Sequence, residues 1–324
     1  PAEGFGIRKE GMKMKIEKVT LIGLGAMGVF FAPRLQAGLK TGNFRVMAEG
    51  ERKKRLESQG VTLNGVNYRF PIVEPSETGN PADLIIMAVK DMGLDQAIRD
   101  IAGQVGERTQ ILCVMNGIES EERVAAVYGW EHVLYSFMRV SIVMDKGVAD
   151  FDPNSGFVHF GEKTNGTYSP RVEAVKELFD RCGIPYKINT DMLKGLWFKY
   201  MANVGENMTC ALLGIPFGAY RTEESANIIR RAAMREVAAI AQKKGIDIGE
   251  AEIEKQERVV KSLPPENKPS TLQDLERGRK TEVEMFSGTV IRLGEELGID
   301  TPVNRVLYHG IKVLEYKNGL KKQR

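Results

Sequence analysis

The stretch that decides the fold is Lys18-Val-Thr-Leu-Ile-Gly23-Leu-Gly25-Ala26-Met27-Gly28-Val-Phe-Phe-Ala32. Val19 to Ile22 forms a short apolar strand, Gly23 interrupts it, and a helical pattern runs from Val29 to Gly38. Each glycine of this G-x-G-x-x-G has its own task. Gly23 permits a tight turn, Gly25 lets the backbone approach a pyrophosphate, and Gly28 lets the helix pack closely. Together with Ala26 and Met27 they bring the helix N-terminus, with its amide donors, to the phosphates. A ligand-free glycine turn would show the same letters. The strand before it and the helix after it favour a dinucleotide site.

The alternation continues outward from this point. A strand around Phe44 to Ala48 leads to a charged helix, Glu51 to Gln59, closed by Gly60. Asn64-Gly65 marks a hairpin within Val61 to Val73. Asp83 to Val89 is nearly continuous in apolar residues, as a parallel strand covered on both faces requires. A helix from Gly93 to Gln104, a buried strand from Thr109 to Met115 and a helix from Glu119 to Tyr128 follow. This order predicts an α/β domain with a Rossmann-type doubly wound parallel sheet. Val133 to Ile188 reads as added sheet plus one helix, Pro170 to Arg181.

After Thr190 helical periodicity takes over, in Met192 to Leu213, Glu223 to Lys244, Ile253 to Lys261 and Thr281 to Leu297. The expected organisation is therefore a dinucleotide-binding domain over residues 14–189 and an all-α domain over 190–324, which carries substrate and catalysis. A chain of 324 residues is ample for two cores. Pro1 to Lys15 is charged and has no apolar segment of signal-peptide length, so residues before Met14 are expected to be an extension outside the fold.

Composition narrows the function. A formal charge of +3 gives no footprint for nucleic acid or a membrane surface, and no run is apolar enough to span a bilayer. Cys113, Cys182 and Cys210 are odd in number and widely spaced, which suits buried thiols and a cytoplasmic location. Without a C-x-x-C pair, and with three histidines, no metal site is expected.

Glu49 lies about 20 residues past the last motif glycine, where an acid accepts hydrogen bonds from a ribose 2′-hydroxyl and repels a 2′-phosphate. Arg52, Lys53, Lys54 and Arg55 follow at once. They could pair with such a phosphate, or form a solvated helix face. Further on, Lys199, Asn203 and Asn207 are spaced i, i+4, i+8 along one helix face, among Trp197, Phe198, Tyr200 and Met201. A lysine desolvated there becomes a usable general acid, with two amides in line for the oxygens of a small substrate. A snorkelling lysine beside two surface asparagines would give the same pattern.

Taken in order, GLGAMG, Asn116-Gly117 after a strand, W-F-K-x-x-x-N-x-x-x-N, then Ser270 and Thr281-Glu282 resemble the ketopantoate reductases (2-dehydropantoate 2-reductases), from about Met14 to Lys317. The resemblance implies NADP(H)-dependent reduction of a 2-oxo acid, first of all ketopantoate, to the 2-hydroxy acid. It makes Lys199 the general acid/base and places Asn116 against cofactor and substrate. It assigns Asn203, Asn207, Ser270 and Glu282 to the 2-oxo acid, and Lys90 to the cofactor. Ser270-x-x-Gln273 also reads as a capping box. One unbroken helix would hold Ser270 and Glu282 roughly 18 Å apart, so a shared site requires a break, for which Gly278 is the obvious place. Glu282 would then sit in the first turn of the next helix.

The chain departs from the family twice. Glu49 stands where members usually carry an arginine for the 2′-phosphate, which opens NAD(H) or moves the phosphate to Arg52 or Lys53. Phe217 stands where a substrate amide is usual, which suits either a more hydrophobic 2-oxo acid or a core residue in a shifted loop. A β-hydroxyacid dehydrogenase would need a glycine-rich substrate segment that is not found. A non-catalytic dinucleotide sensor would not need both Lys199 and Glu282. Apolar residues on the late helices suit a homodimer and a core equally.

Overall fold

A computed structural model describes residues 14–322; the expected extension before Met14 lies outside them. Contacts divide the described residues into two compact units, 14–115 with 121–192, and Asn116–Ser120 with 193–322. The first unit starts with β1 (Val19–Ile22), α1 (Gly28–Gly38), β2 (Phe44–Met47), α2 (Gly50–Gln59), β3 (Val61–Leu63), β4 (Val66–Tyr68), β5 (Ile72–Val73) and β6 (Ala82–Met87). It continues with α3 (Leu94–Asp100), β7 (Val105–Cys113), α4 (Ser120–Tyr128), β8 (Val133–Arg139), β9 (Met144–Asp145), β10 (Val148–Ala149), β11 (Phe157–Gly161), α5 (Pro170–Cys182) and β12 (Tyr186–Lys187).

The main sheet has the order β12-β11-β8-β7-β6-β1-β2-β5. From β5 to β8 every pairing is parallel. Over these six strands the order is that of two βαβαβ halves meeting between β1 and β6. Burial follows from this layering. Leu84 and Ile86 join one core with Phe30 and Phe31 of α1 and Leu178 and Phe179 of α5. Ile85 and Met87 face the other way, with Leu94 and Ile98 of α3 and Val124 of α4. A strand covered on both faces has no polar side, hence the unbroken apolar run.

The sheet is not parallel throughout, because β11 pairs antiparallel with β8. The Asn64-Gly65 hairpin forms with both residues at positive φ (49° and 77°), as the tight turn joining β3 to β4 requires. Its β3 pairs parallel with β10 in a separate four-stranded sheet, β4-β3-β10-β9.

The second unit is helical: α6 (Met192–Leu213), α7 (Glu224–Lys243), α8 (Glu250–Ser262), α9 (Ser270–Glu276), α10 (Thr289–Leu297) and α11 (Pro302–Lys322). One expected helix is corrected here, and α11 is one that the sequence reading did not include. The single helix expected over Thr281 to Leu297 is a π-helical turn, Glu284–Gly288, running into α10. The terminal α11 escapes the periodicity reading because apolar Val306, Val313 and Tyr316 are exposed while polar Asn304 is fully buried. No described helix is long and apolar enough to cross a membrane.

Candidate active site

In the first unit a pocket of ≈ 490 Å³ opens at the carboxyl ends of β1, β2 and β6, the position at which open α/β sheets bind ligands. It is lined by Gly23 and Gly25 after β1, Glu49 and Arg52 after β2, and Val89 and Lys90 after β6. The glycines behave as their roles demand. Gly23 has φ +99°, and a Cβ there would lie 2.5 Å from the Ala88 backbone. A Cβ on Gly28 would lie 2.0 Å from the Gly23 carbonyl oxygen, so α1 sits directly on the turn. A Cβ on Gly25 would meet nothing within 4 Å. Space is thus kept free beside the one glycine whose backbone should approach a pyrophosphate, and the cradle fits a dinucleotide. Ala26 and Met27 do not line the pocket; they pack half-buried against the core beneath it.

Glu49 is exposed at the N-terminus of α2 and makes no capping bond, so its carboxylate is available at the pocket edge. Within the basic run, Lys53 pairs with Glu74 (3.2 Å) and Lys54 with Glu51 (2.7 Å), while Arg52 lines the pocket. The solvated-face reading therefore suits the two lysines better than Arg52. Gln96 and Asp100 of α3 also line the pocket and were not singled out from the sequence. Their position in the helix after β6, beside the point where strand order reverses, was the available signal.

The second unit holds the other group. Lys199, Asn203 and Asn207 all lie on α6. Lys199 Nζ donates to Asn116 Oδ1 at 2.9 Å, and Asn116 Nδ2 donates to Glu282 Oε2 at 3.4 Å. Three segments, 83 and 166 positions from Asn116, thus meet in one hydrogen-bonded chain. Trp197, Tyr200 and Met201 are buried around its base, and Lys199 is half-buried. Asn116 does not line the dinucleotide pocket; it clusters with the helices.

α9 ends at Glu276 and the chain reverses through Gly278 at φ +61°, so the required break is present. Glu282 stands two residues before the π-helical turn, where its carbonyl accepts from the Phe286 amide (3.1 Å). Ser270 is not drawn into the trio by any hydrogen bond among the described residues. It is exposed at the start of α9, and the predicted capping box does not form: no side chain caps α9, and Gln273 Nε2 donates to the Lys268 carbonyl instead. Phe217 packs with Ile215 and Leu263 against Cys210, Tyr220 and Val260, which is the core reading of that position.

The profile of the ketopantoate reductase PanE/ApbA family matches residues 19–165, and that of its C-terminal part matches residues 191–315. A 2-dehydropantoate 2-reductase of Streptococcus pyogenes is 27% identical over 302 residues, covering 89% of this chain and 95% of the relative. A PanE/ApbA family ketopantoate reductase from Ralstonia eutropha JMP134 superposes with a TM-score of 0.79 at 22% identity, covering 93% of this chain and 99% of that one. D-mandelate dehydrogenase, solved with NADH and anilino(oxo)acetate, superposes with a TM-score of 0.81 at 24% identity over 93% of this chain and 99% of its own. With its glycine cradle at the strand ends and both family profiles spanning the two units, the chain belongs to the ketopantoate reductase family and is an NAD(P)-dependent oxidoreductase.

Proposed function

We propose that this protein reduces a 2-oxo acid to the corresponding 2-hydroxy acid, with 2-dehydropantoate as the first substrate and Lys199 as the general acid. The observation that carries this reading is the Lys199–Asn116–Glu282 chain. Reduced nicotinamide, when bound, supplies the hydride that reaches the C2 carbonyl carbon. Charge then develops on the carbonyl oxygen, and an ammonium group held in place stabilises it and delivers the proton. Asn116 accepts from Lys199, which aims the ammonium, and its amide donates to Glu282, which fixes that carboxylate. Asn203 and Asn207 continue the same helix face and supply amides for the substrate carboxylate and hydroxyl.

The name of the streptococcal relative supports 2-dehydropantoate. A more hydrophobic 2-oxo acid is the second reading, favoured by the likeness to D-mandelate dehydrogenase. It loses the support of Phe217, which is taken up in a core cluster. For the cofactor, Glu49 supports NADH, since its carboxylate at the pocket edge opposes a 2′-phosphate and suits a ribose diol.

The test is the initial rate of reduced-cofactor oxidation with 2-dehydropantoate, with NADH and NADPH compared on one preparation. Turnover favouring NADH is expected. Faster turnover with NADPH would pass the discriminating role to Arg52, and cofactor binding without turnover of any 2-oxo acid would overturn the reaction itself.

A further inference from the structure

Tyr200 follows Lys199 directly and is 2% exposed. Its hydroxyl does not face solvent. It lies 2.7 Å from the Phe286 carbonyl oxygen and 3.2 Å from that of Met285, both in the π-helical turn. A phenylalanine would fill the same volume, so the hydroxyl marks what the position does beyond packing. Burial holds the phenol well above its ordinary pKa, so it stays a donor at every working pH.

A π-turn carries an extra residue per turn and misaligns its carbonyls, and such turns concentrate at functional sites. Here Gly288 N bonds Val283 O, one residue further back than in an α-helix. The same stretch touches the Asn116 segment. A Cβ on Gly117 would lie 3.0 Å from Met285 Sδ. Glu119 accepts from Thr289 Oγ1 (3.2 Å) and from Arg292. The π-turn therefore lies between the lysine helix and the asparagine loop, and Glu282 is two residues from its start.

We propose that Tyr200 is a positioning residue whose hydroxyl fixes the π-turn and so holds Glu282 against the Asn116–Lys199 pair. This rests on the reading of Lys199 and Glu282 as substrate-facing groups. Releasing the turn would let Glu282 drift, which removes a negative charge near the ammonium and leaves the substrate less well oriented.

The test is Tyr200→Phe in the full chain, alone and combined with Glu282→Gln, with two readouts. In the first, Tyr200→Phe lowers kcat/KM about tenfold in the wild-type background but less than about twofold in the Glu282→Gln background, as coupled residues do. In the second, the pH dependence of Lys199 acetylation by acetic anhydride is followed by mass spectrometry. Its midpoint falls in Tyr200→Phe and in Glu282→Gln, while that of Lys176 does not move. Equal losses in both backgrounds, or an unmoved Lys199 midpoint, would overturn the proposal and leave Tyr200 a packing residue. If wild type turns over no 2-oxo acid, the proposed reaction fails while the labelling still decides the role of Tyr200. Melting curves accompany both arms, and if Tyr200→Phe melts near assay temperature the comparison is run in the cold, below its transition.

Discussion

Lys199 carries the largest single prediction. Lys199→Ala removes the proton donor and one end of the hydrogen-bonded chain, and changes no residue that lines the dinucleotide pocket. Turnover should fall by about a thousandfold, within the range for loss of a general acid, with NADH affinity unchanged in a fluorescence titration. A parallel loss of NADH affinity would show that the lysine serves the cofactor. Glu49→Arg should reverse cofactor preference, raising NADPH affinity at least about tenfold relative to NADH by the same titration. No change in the ratio would remove Glu49 from the site. Both residues stand at offsets legible in the sequence, Glu49 from a glycine motif and Lys199 along a helix face, and the role of Lys199 is what the family resemblance implies. The capping box expected at Ser270 does not form because its signature is local, while in the structure Pro269 occupies the cap position and Gln273 finds a different carbonyl.

At the scale of the element, the β1–α1 turn separates folding from binding. Gly28→Ala places a methyl 2.0 Å from a backbone oxygen, which neither the strand nor the helix can yield without moving. It should destabilise the first unit by about 1–3 kcal/mol and lower the melting temperature. Gly25→Ala meets open space and has ordinary backbone geometry, so the fold should melt as wild type while NADH affinity drops at least about tenfold, because the methyl occupies the phosphate's approach. Equal melting losses in the two variants would contradict this division. The strand–turn–helix was legible because three glycines in that context have few other uses. The π-turn was not, because Glu284 to Gly288 carries a helical letter pattern and no local signal marks the extra residue.

On the scale of the whole molecule, long-range ties hold the first unit together. Arg171 at the start of α5 forms an ion pair with Glu162 after β11, and donates to the carbonyls of Trp130 (2.9 Å) and Glu131 (2.8 Å) before β8. Burial pushes the Glu162 carboxyl up, but Arg171 and Ser169 outweigh it, and its pKa lies below the ordinary carboxylate value. A depressed folded pKa means stabilisation that is complete above the unfolded value of about 4.3 and lost as pH falls through the folded pKa. Arg171→Ala should therefore melt about 4 °C lower at neutral pH, and the gap should narrow below about pH 4. A gap of constant size down to acid pH would show that the carbonyl bonds, not the ion pair, carry the effect.

The sequence by itself determined the doubly wound sheet, the helical second half, the glycine cradle and the lysine–asparagine helix face. Each is written in periodicity or in short spacings, and such signals need only the local geometry of a strand, a turn or a helix. Tertiary structure alone decided the rest. It brought Asn116 and Glu282 to Lys199 across 83 and 166 positions, sent Phe217 to a core and closed a second sheet with β10. It also turned Tyr200 from one more bulky neighbour into the donor at a π-turn. Contacts between distant segments depend on where whole elements pack, and no local pattern of residues encodes that.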